Sequence, residues 1–178
     1  MYVYFDRYSS EGSRGSIKDR DGTSYCSVQL LGVKEPTKLE VFASTVFDST
    51  QPHPYYRLIK VVGKGGNASC TPCREIINDE TIPCLEFCFY PMNNMTLVLD
   101  CIGILKIVSY DLKGRKGPKH SSSTSIRLSM RVKVRNPANP NNFILLSAAT
   151  DSICCTQQGE SYGYQKQKLI ETIPTSVT

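Results

Sequence analysis

Residues 7–22 read RYSSEGSRGSIKDRDG, three arginines, a tyrosine and a glutamate set among three glycines, with Ile17 the one aliphatic side chain. Such a run cannot nucleate a core, so it is a loop that is either solvated or shaped to touch a ligand. The residue types favour one kind of contact. Arginine presents a two-pronged donor to the O6 and N7 acceptors of guanine, glutamate accepts from the amino group of cytosine, and a tyrosine ring packs on the methyl of thymine. Arg7, Tyr8, Glu11 and Arg14 supply those groups within eight residues. Gly12 and Gly15 let the backbone turn beside a phosphate, while Ser13, Ser16, Lys18 and Arg20 are phosphate-binding types. Composition alone still favours a solvated charged loop over one that reads nucleic acid.

Other chemistries fit less well. His53, within QPHPYY, and His120, within the basic run KGRKGPKH, are the bases available at neutral pH, and neither neighbours a nucleophile with an orienting acid. Neither an enzyme nor a cofactor is expected. The GKGG run at residues 63–66 follows a strand-like segment but opens no helix, so it reads as a hairpin and not as a phosphate loop. Cys70-Thr-Pro-Cys73 with Cys84 and Cys88 resembles a zinc knuckle. Four steps along a strand, however, separate two thiols by about 13 Å, too far to share one ion, so no metal site is expected. A redox Cys-x-x-Cys would need a βαβ context that the pattern does not offer. Cys26, Cys84, Cys88 and Cys101 sit in apolar runs and Cys154 and Cys155 close another, which is the placement of reduced intracellular thiols. The glycosylation triplets Asn67-Ala-Ser69 and Asn94-Met-Thr96 point the other way, toward a secreted chain.

The elements that must position the loop read as strands. In SIRLSMRVKVR the residues Ile126, Leu128, Met130, Val132 and Val134 fall on one face and Arg127, Ser129, Arg131, Lys133 and Arg135 on the other. YCSVQLLG, KLEVFAS, YYRLIKVVG, PCLEFCFY, MTLVLDCIGILKIV and NFILLSAA follow the same logic, divided by turns such as NPANPNN. Seven or eight short strands predict an all-β sandwich, most simply immunoglobulin-like. Residues 9–24, 63–78 and 113–125 are too polar for strands and read as loops, and 156–178 reads as a linker or tail. A length of 178 residues suits one domain. No apolar run has the length of a signal peptide or a membrane span, so a soluble chain with no membrane partner is expected. Lys and Arg exceed Asp and Glu by 21 to 16, for a net charge of +5, a balance that favours polyanionic partners.

The order of these residues resembles that of Rel homology proteins, in particular the nuclear factor of activated T cells (NFAT) family. RYSSEGSRGSIKDR is similar to the family's Tyr-x-x-Glu-Gly-Ser-Arg-Gly recognition loop, and PHPYYRLIKVVGK to its Pro-His-x-Phe-Tyr strand. NNMTLVLDCIGILKI resembles its Asp-Cys-x-Gly-Ile-Leu-Lys segment and DSICCTQQ its exit into the interdomain linker. The four blocks keep the family's order across residues 7–158. The Ser-Ile-Lys-Asp-Arg ending of the loop, NNMTL and CTQ are nearest to the tonicity-responsive enhancer-binding (TonEBP) branch.

The resemblance implies an immunoglobulin-like (p53/Rel-type) β-sandwich over residues 1–155, its first strand cut short, with 156–178 leading toward a second immunoglobulin-like domain. It implies double-stranded DNA as the partner, with a GGAAA-type element read in the major groove by loops. A second copy or other transcription factors would be met through the further domain, and the location would be the nucleus and cytoplasm. By position, Arg7, Tyr8, Glu11 and Arg14 match base-contacting loop residues, Lys18 and Arg20 lie on the same loop, and Gln157 matches the linker glutamine that reaches DNA. Lys113, Arg115, Lys116 and Lys119 match a loop that meets the DNA backbone or a second subunit. The chain departs from the pattern at Phe5, where relatives carry an arginine, at Gln158, where some carry another, and in the cysteine-rich residues 70–84. Two alternatives stand beside this reading: a protein-interaction fragment with weak DNA binding, and an extracellular immunoglobulin-like module.

Overall fold

The computed structural model describes residues 2–5, 7–8, 16–19, 22–61, 70–107 and 125–156, with 2–5, 7–8, 155 and 156 described through their backbone. These residues form β1 (Tyr2–Phe5), β2 (Arg7–Tyr8), β3 (Ser27–Gln29), β4 (Thr37–Thr45), β5 (Tyr56–Lys60), β6 (Arg74–Ile77), β7 (Pro83–Phe89), β8 (Thr96–Val98), β9 (Ile102–Lys106), β10 (Ser125–Asn136), β11 (Asn139–Ala149) and β12 (Ile153–Thr156). A single 3-10 turn, Pro91–Asn93, is the helical element among them. One sheet runs β1-β12-β10-β4-β7-β6 with β11 also paired to β10; a second runs β2-β9-β5, and β3 pairs with β8. The architecture is the all-β, immunoglobulin-like sandwich that the alternation predicts.

Period-2 patterning builds the core. Leu39 and Val41 of β4, Leu85, Phe87 and Phe89 of β7, and Ile126 and Leu128 of β10 face Leu58 of β5 and Ile102 and Ile104 of β9 in one buried cluster. Met130, Val132 and Val134 continue the β10 face into that cluster. His53 is a structural residue beside it. It is buried, its Nδ1 accepts the Tyr55 N–H at 3.1 Å, and its ring meets Tyr56 edge-on with centroids 4.9 Å apart.

The outer face of the larger sheet is charged, and register orders the charges. Arg131, Glu40, Glu86 and Arg74 stand opposite one another across β10, β4, β7 and β6. Two carboxylates side by side would repel, but Glu86 is bracketed by Arg74 Nη2 at 2.6 Å and Lys38 Nζ at 3.2 Å. Glu40 accepts from Asn78 Nδ2 at 3.0 Å. Arg131 stacks on Phe42 at 4.9 Å, pairs with Glu80 at 2.6 Å and donates to the Thr50 carbonyl at 2.6 Å. Its side chain is only 10% exposed, so this alternate face of β10 is covered and not solvated at that point.

Several strand expectations are corrected. Residues 63–78 are not all loop, because Arg74–Ile77 pairs with β7, held by the Arg74–Glu86 pair and by Ile76 packing beside Phe42, Ile82 and Cys84. The run MTLVLDCIGILKIV is not one strand; it breaks at residues 99–101, where the chain passes from the β3–β8 pair to the β9 sheet. NPANPNN is mostly strand, since β10 and β11 meet in a hairpin whose two turn residues are Pro137 and Ala138, with the Ala138 N–H held by Asn136 Oδ1 at 2.9 Å. The count is twelve strands among the described residues, above seven or eight, because β1, β2, β6, β8 and β12 are each four residues or fewer. NFILLSAA forms β11 as expected, yet its apolar residues are not core: Phe143, Ile144, Leu145 and Leu146 are 39–61% exposed. β11 is an edge strand with one neighbour, so both of its faces lie largely outside the packed layers.

Arg131→Ala is expected to lower the unfolding free energy by about 1–3 kcal/mol, through lost stacking and two lost hydrogen bonds. Urea titration measures it, with Glu80→Ala costing less because the guanidinium keeps the Thr50 carbonyl. An Arg131→Ala chain as stable as its parent would show that the outer-face network contributes nothing.

Candidate nucleic-acid interface

One short strand anchors the arginine-glycine segment at both ends. β2 lies parallel to β9 with Arg7 opposite Leu105 and Tyr8 opposite Lys106. At the other end of β9 the Ile17 N–H donates to the Ile102 carbonyl at 2.7 Å, and the Ile17 side chain is 4% exposed within the core cluster. The aliphatic residue that seemed isolated in a polar run is therefore the peg that returns the chain to the sandwich. The residues between Tyr8 and Ile17 have both feet on one strand of the smaller sheet.

Just after Ile17 and Lys18 the chain closes a tight turn centred on Asp19. The Asp19 N–H donates to the Ser24 carbonyl at 2.8 Å and the Gly22 N–H to the Asp19 carbonyl at 3.0 Å. The Asp19 carboxylate takes the Thr23 N–H at 3.0 Å and the Ser24 hydroxyl. Those donors, the Ser24 hydroxyl foremost, hold the Asp19 carboxyl below the usual carboxylate range. Gly22 has φ +70°, a left-handed conformation that a side chain would strain even though open space surrounds its Cα. Lys18, itself half-buried, holds its Nζ 5.3 Å from the centre of the exposed Tyr25 ring, a cation–π contact.

Two further segments leave the sandwich at the same place. β1 and β12 are parallel and Phe5 is the Cα partner of Thr156, so β1 and β12 end side by side. Segment 108–124 begins just past Lys106, whose register partners are Tyr8 and Tyr56, and ends at Ser125, opposite Cys154 of β12. The Ile107 N–H is tied to the Tyr55 carbonyl at 2.8 Å. The exits of residues 9–15, 108–124 and 157 onward thus gather where β1, β2, β9 and β12 end and β10 begins.

Of the residues expected to meet DNA, Lys18 is placed with its side chain, and Arg7 and Tyr8 through their backbone. Glu11, Arg14, Arg20, Gln157, Lys113, Arg115, Lys116 and Lys119 lie outside the described residues, as does His120. Sequence reasoning missed Lys106. Its Nζ lies 5.9 Å from the centre of the Tyr56 ring, at the foot of the loop. The signal was available in GILKI, where strand alternation ends on a lone cation. The nearest sulfur to Cys73 was not visible in the spacing of Cys70, Cys73, Cys84 and Cys88. The Cys73 sulfur lies 3.2 Å from that of Cys101, whereas Cys84 belongs to the small cluster with Phe42 and Ile82.

A family model described as the Rel homology DNA-binding domain matches residues 5–145. The chain is similar to nuclear factor of activated T-cells 5 of Homo sapiens, at 36% identity over 152 residues that cover 85% of this chain and 10% of that protein. It is similar also to nuclear factor of activated T-cells, cytoplasmic 3 of Homo sapiens, at 35% over 155 residues, 85% of this chain and 14% of the relative. The cytoplasmic 2 protein of Mus musculus is 34% identical over 156 residues, 85% of this chain and 16% of its own length. The chain spans about a tenth to a sixth of the length of these relatives.

In a pH titration followed by NMR, the Asp19 carboxyl is expected to titrate below 3.8, its ordinary value. The folded value is depressed, so the stability this turn gains is present above the ordinary carboxylate range and is lost as pH falls through the lowered one. Ser24→Ala should move the titration back up. An Asp19 titration that Ser24→Ala leaves unchanged would contradict this account of the turn.

Proposed function

We propose a function from one premise: this chain belongs to the Rel homology DNA-binding domain family. It binds double-stranded DNA sequence-specifically, at a GGAAA-type element in the major groove, as part of an NFAT-like transcription factor of the tonicity-responsive branch. The observation that carries this reading is that three segments leave the sandwich from neighbouring strand ends, residues 9–15 starting at the Lys106 end of β9 and returning at its Ile102 end. Loops fixed at their ends lose less freedom on binding than free ones. Rigid strands beneath them hold base-reading forks at a set distance from the duplex.

The roles divide by chemistry. Arg7 and Arg14 read guanine, Glu11 reads the partner cytosine, and Tyr8 packs on a base edge. Lys18, Arg20 and Lys106 position the duplex through phosphates. Gln157 joins them from the linker side, a reading supported by the pairing of Phe5 with Thr156, the residue before it. Phe5 offers no fork to guanine, so the reading of the core element rests on Arg7 and Arg14. Residues 1–155 make up the domain and 156–178 the linker, with a second copy or other transcription factors engaged elsewhere in the parent protein, in the nucleus and cytoplasm. The activity is binding without catalysis.

Arg14→Ala is expected to cost about 1–3 kcal/mol on a GGAAA duplex and to flatten the preference at one base pair. Fluorescence anisotropy at fixed salt on GGAAA and scrambled duplexes measures both. An unchanged ratio between the two duplexes would remove Arg14 from the readout. Lys116 and Lys119 act through charge on the backbone. Replacing both with Gln is expected to weaken binding to all sequences alike and to lower the salt slope by about 0.9 for each phosphate that is no longer neutralised. A normal slope with altered assembly on DNA would assign that loop to a second subunit instead.

A further inference from the structure

We propose that Cys73 and Cys101 form a redox-sensitive dithiol that closes to an intrachain disulfide, tying the two sheets together directly behind the anchor of the arginine-glycine segment. The two sulfurs lie 3.2 Å apart, nearer than an ordinary contact between unbonded thiols, although the residues are 28 apart in sequence. Cys73 immediately precedes β6 in the larger sheet and Cys101 immediately precedes β9 in the smaller one, and these two strands are not paired. A bond between them would therefore be a cross-link that the hydrogen-bond ladders do not supply.

The surroundings divide the roles. Cys101 is fully buried, its carbonyl accepts the Val61 N–H at 2.8 Å, and the Thr71 carbonyl lies 3.4 Å from its sulfur. Cys73 is half-buried, within reach of a dissolved oxidant, and Lys60 donates to its carbonyl at 3.2 Å. The hydrogen bond between the two sulfurs, with the Lys60 charge and against partial burial, lowers the Cys73 pKa, while the same contact and burial raise that of Cys101. Cys73 is thus the attacking thiolate and Cys101 the protonated partner. Burial raises Cys26, and pushes Cys84 up to about 11, which leaves both less reactive.

The oxidant is a small disulfide such as oxidised glutathione. The Cys73 thiolate attacks one of its sulfurs, the glutathione disulfide bond breaks, and one glutathione thiolate departs. The Cys101 sulfur then attacks Cys73 in the mixed disulfide. Its proton passes to the departing second glutathione, so two thiols are oxidised and one glutathione disulfide is reduced to two thiols. The carbonyl that holds Ile17 belongs to Ile102, the residue after Cys101, so the new bond would stiffen the strand end on which the segment stands. The pairing stands independently of DNA binding, and its test uses none.

The chain is equilibrated in glutathione buffers of increasing oxidised fraction, quenched in acid, alkylated and mapped by mass spectrometry, with the melting temperature read in parallel. The Cys73–Cys101 disulfide is expected to form at an oxidised fraction about tenfold lower than that which modifies Cys26 or Cys84. The oxidised chain should melt several degrees higher, since a closed loop restricts the unfolded state. Cys70→Ser should leave both effects in place, and Cys73→Ser, with its fold checked by circular dichroism, should abolish both. Cys73 bridged to Cys70 in the parent chain, a stable glutathione adduct at Cys73 that never closes, or oxidation no earlier than at Cys26 and Cys84 would each overturn the proposal.

Discussion

Both backbone edges of Ile102–Lys106 are occupied, one by Tyr56–Lys60 and the other by the two ends of the arginine-glycine segment. A strand has only one row of donors and acceptors per edge, so whatever pairs with it is set in register and height. Tyr8 is thereby placed at Lys106 and Ile17 at Ile102, and residues 9–15 have no freedom in where they begin and end. The strand itself is held by Ile102 and Ile104, both fully buried in the common core. The chain of dependence runs from apolar alternation, to a buried strand, to a ladder edge, to the feet of a polar loop that could not have ordered itself.

The larger sheet adds the second constraint. Its parallel pair β1–β12 brings the first residues of the chain beside those at 153–156, so segments far apart in sequence leave the sandwich from neighbouring positions. The antiparallel β10–β12 contact brings the end of segment 108–124 to the same place. Meanwhile the opposite surface of this sheet spends its charges on one another, in the row of Arg131, Glu40, Glu86 and Arg74. Much of the net charge of +5 lies in the sequence of segment 108–124, where Lys113, Arg115, Lys116 and Lys119 stand against the single acid Asp111.

How much of this could be read in the sequence differs by element. The alternation in residues 126–134 predicted a one-sided strand, and its five apolar residues are buried, joined from the other face by Ser129, whose hydroxyl donates to Ser44 Oγ. Composition marked the arginine-glycine run as a loop, and the family's motifs, carried in order, named its partner. Three things were hidden. Arg74–Ile77 is too short and polar to announce itself, and pairs because Arg74 meets Glu86 across the ladder. The break at residues 99–101 is invisible to periodicity because Leu97 and Leu99, and then Cys101 and Ile102, stay buried through it. NFILLSAA looks like core and lies on an exposed edge, since hydropathy says what a strand could bury and not whether a second layer lies over it. For the site, spacing could not show that Cys73 meets Cys101 or that Ile17 pegs the loop, because both contacts join residues far apart in sequence.

The central claim is that DNA is met at the end of the sandwich where residues 9–15, 108–124 and 157 onward leave it. The most direct test is an NMR titration of the isotopically labelled chain with a GGAAA duplex, following backbone amides. Shifts are expected to concentrate at Tyr8, Ile17, Lys18, Lys106, Ile107, Ser125 and residues 154–156, with the outer face of the larger sheet silent. Shifts centred instead on Lys38, Arg131, Lys133 and Arg135, or on the exposed strand Asn139–Ala149, would place the duplex on another surface and contradict it.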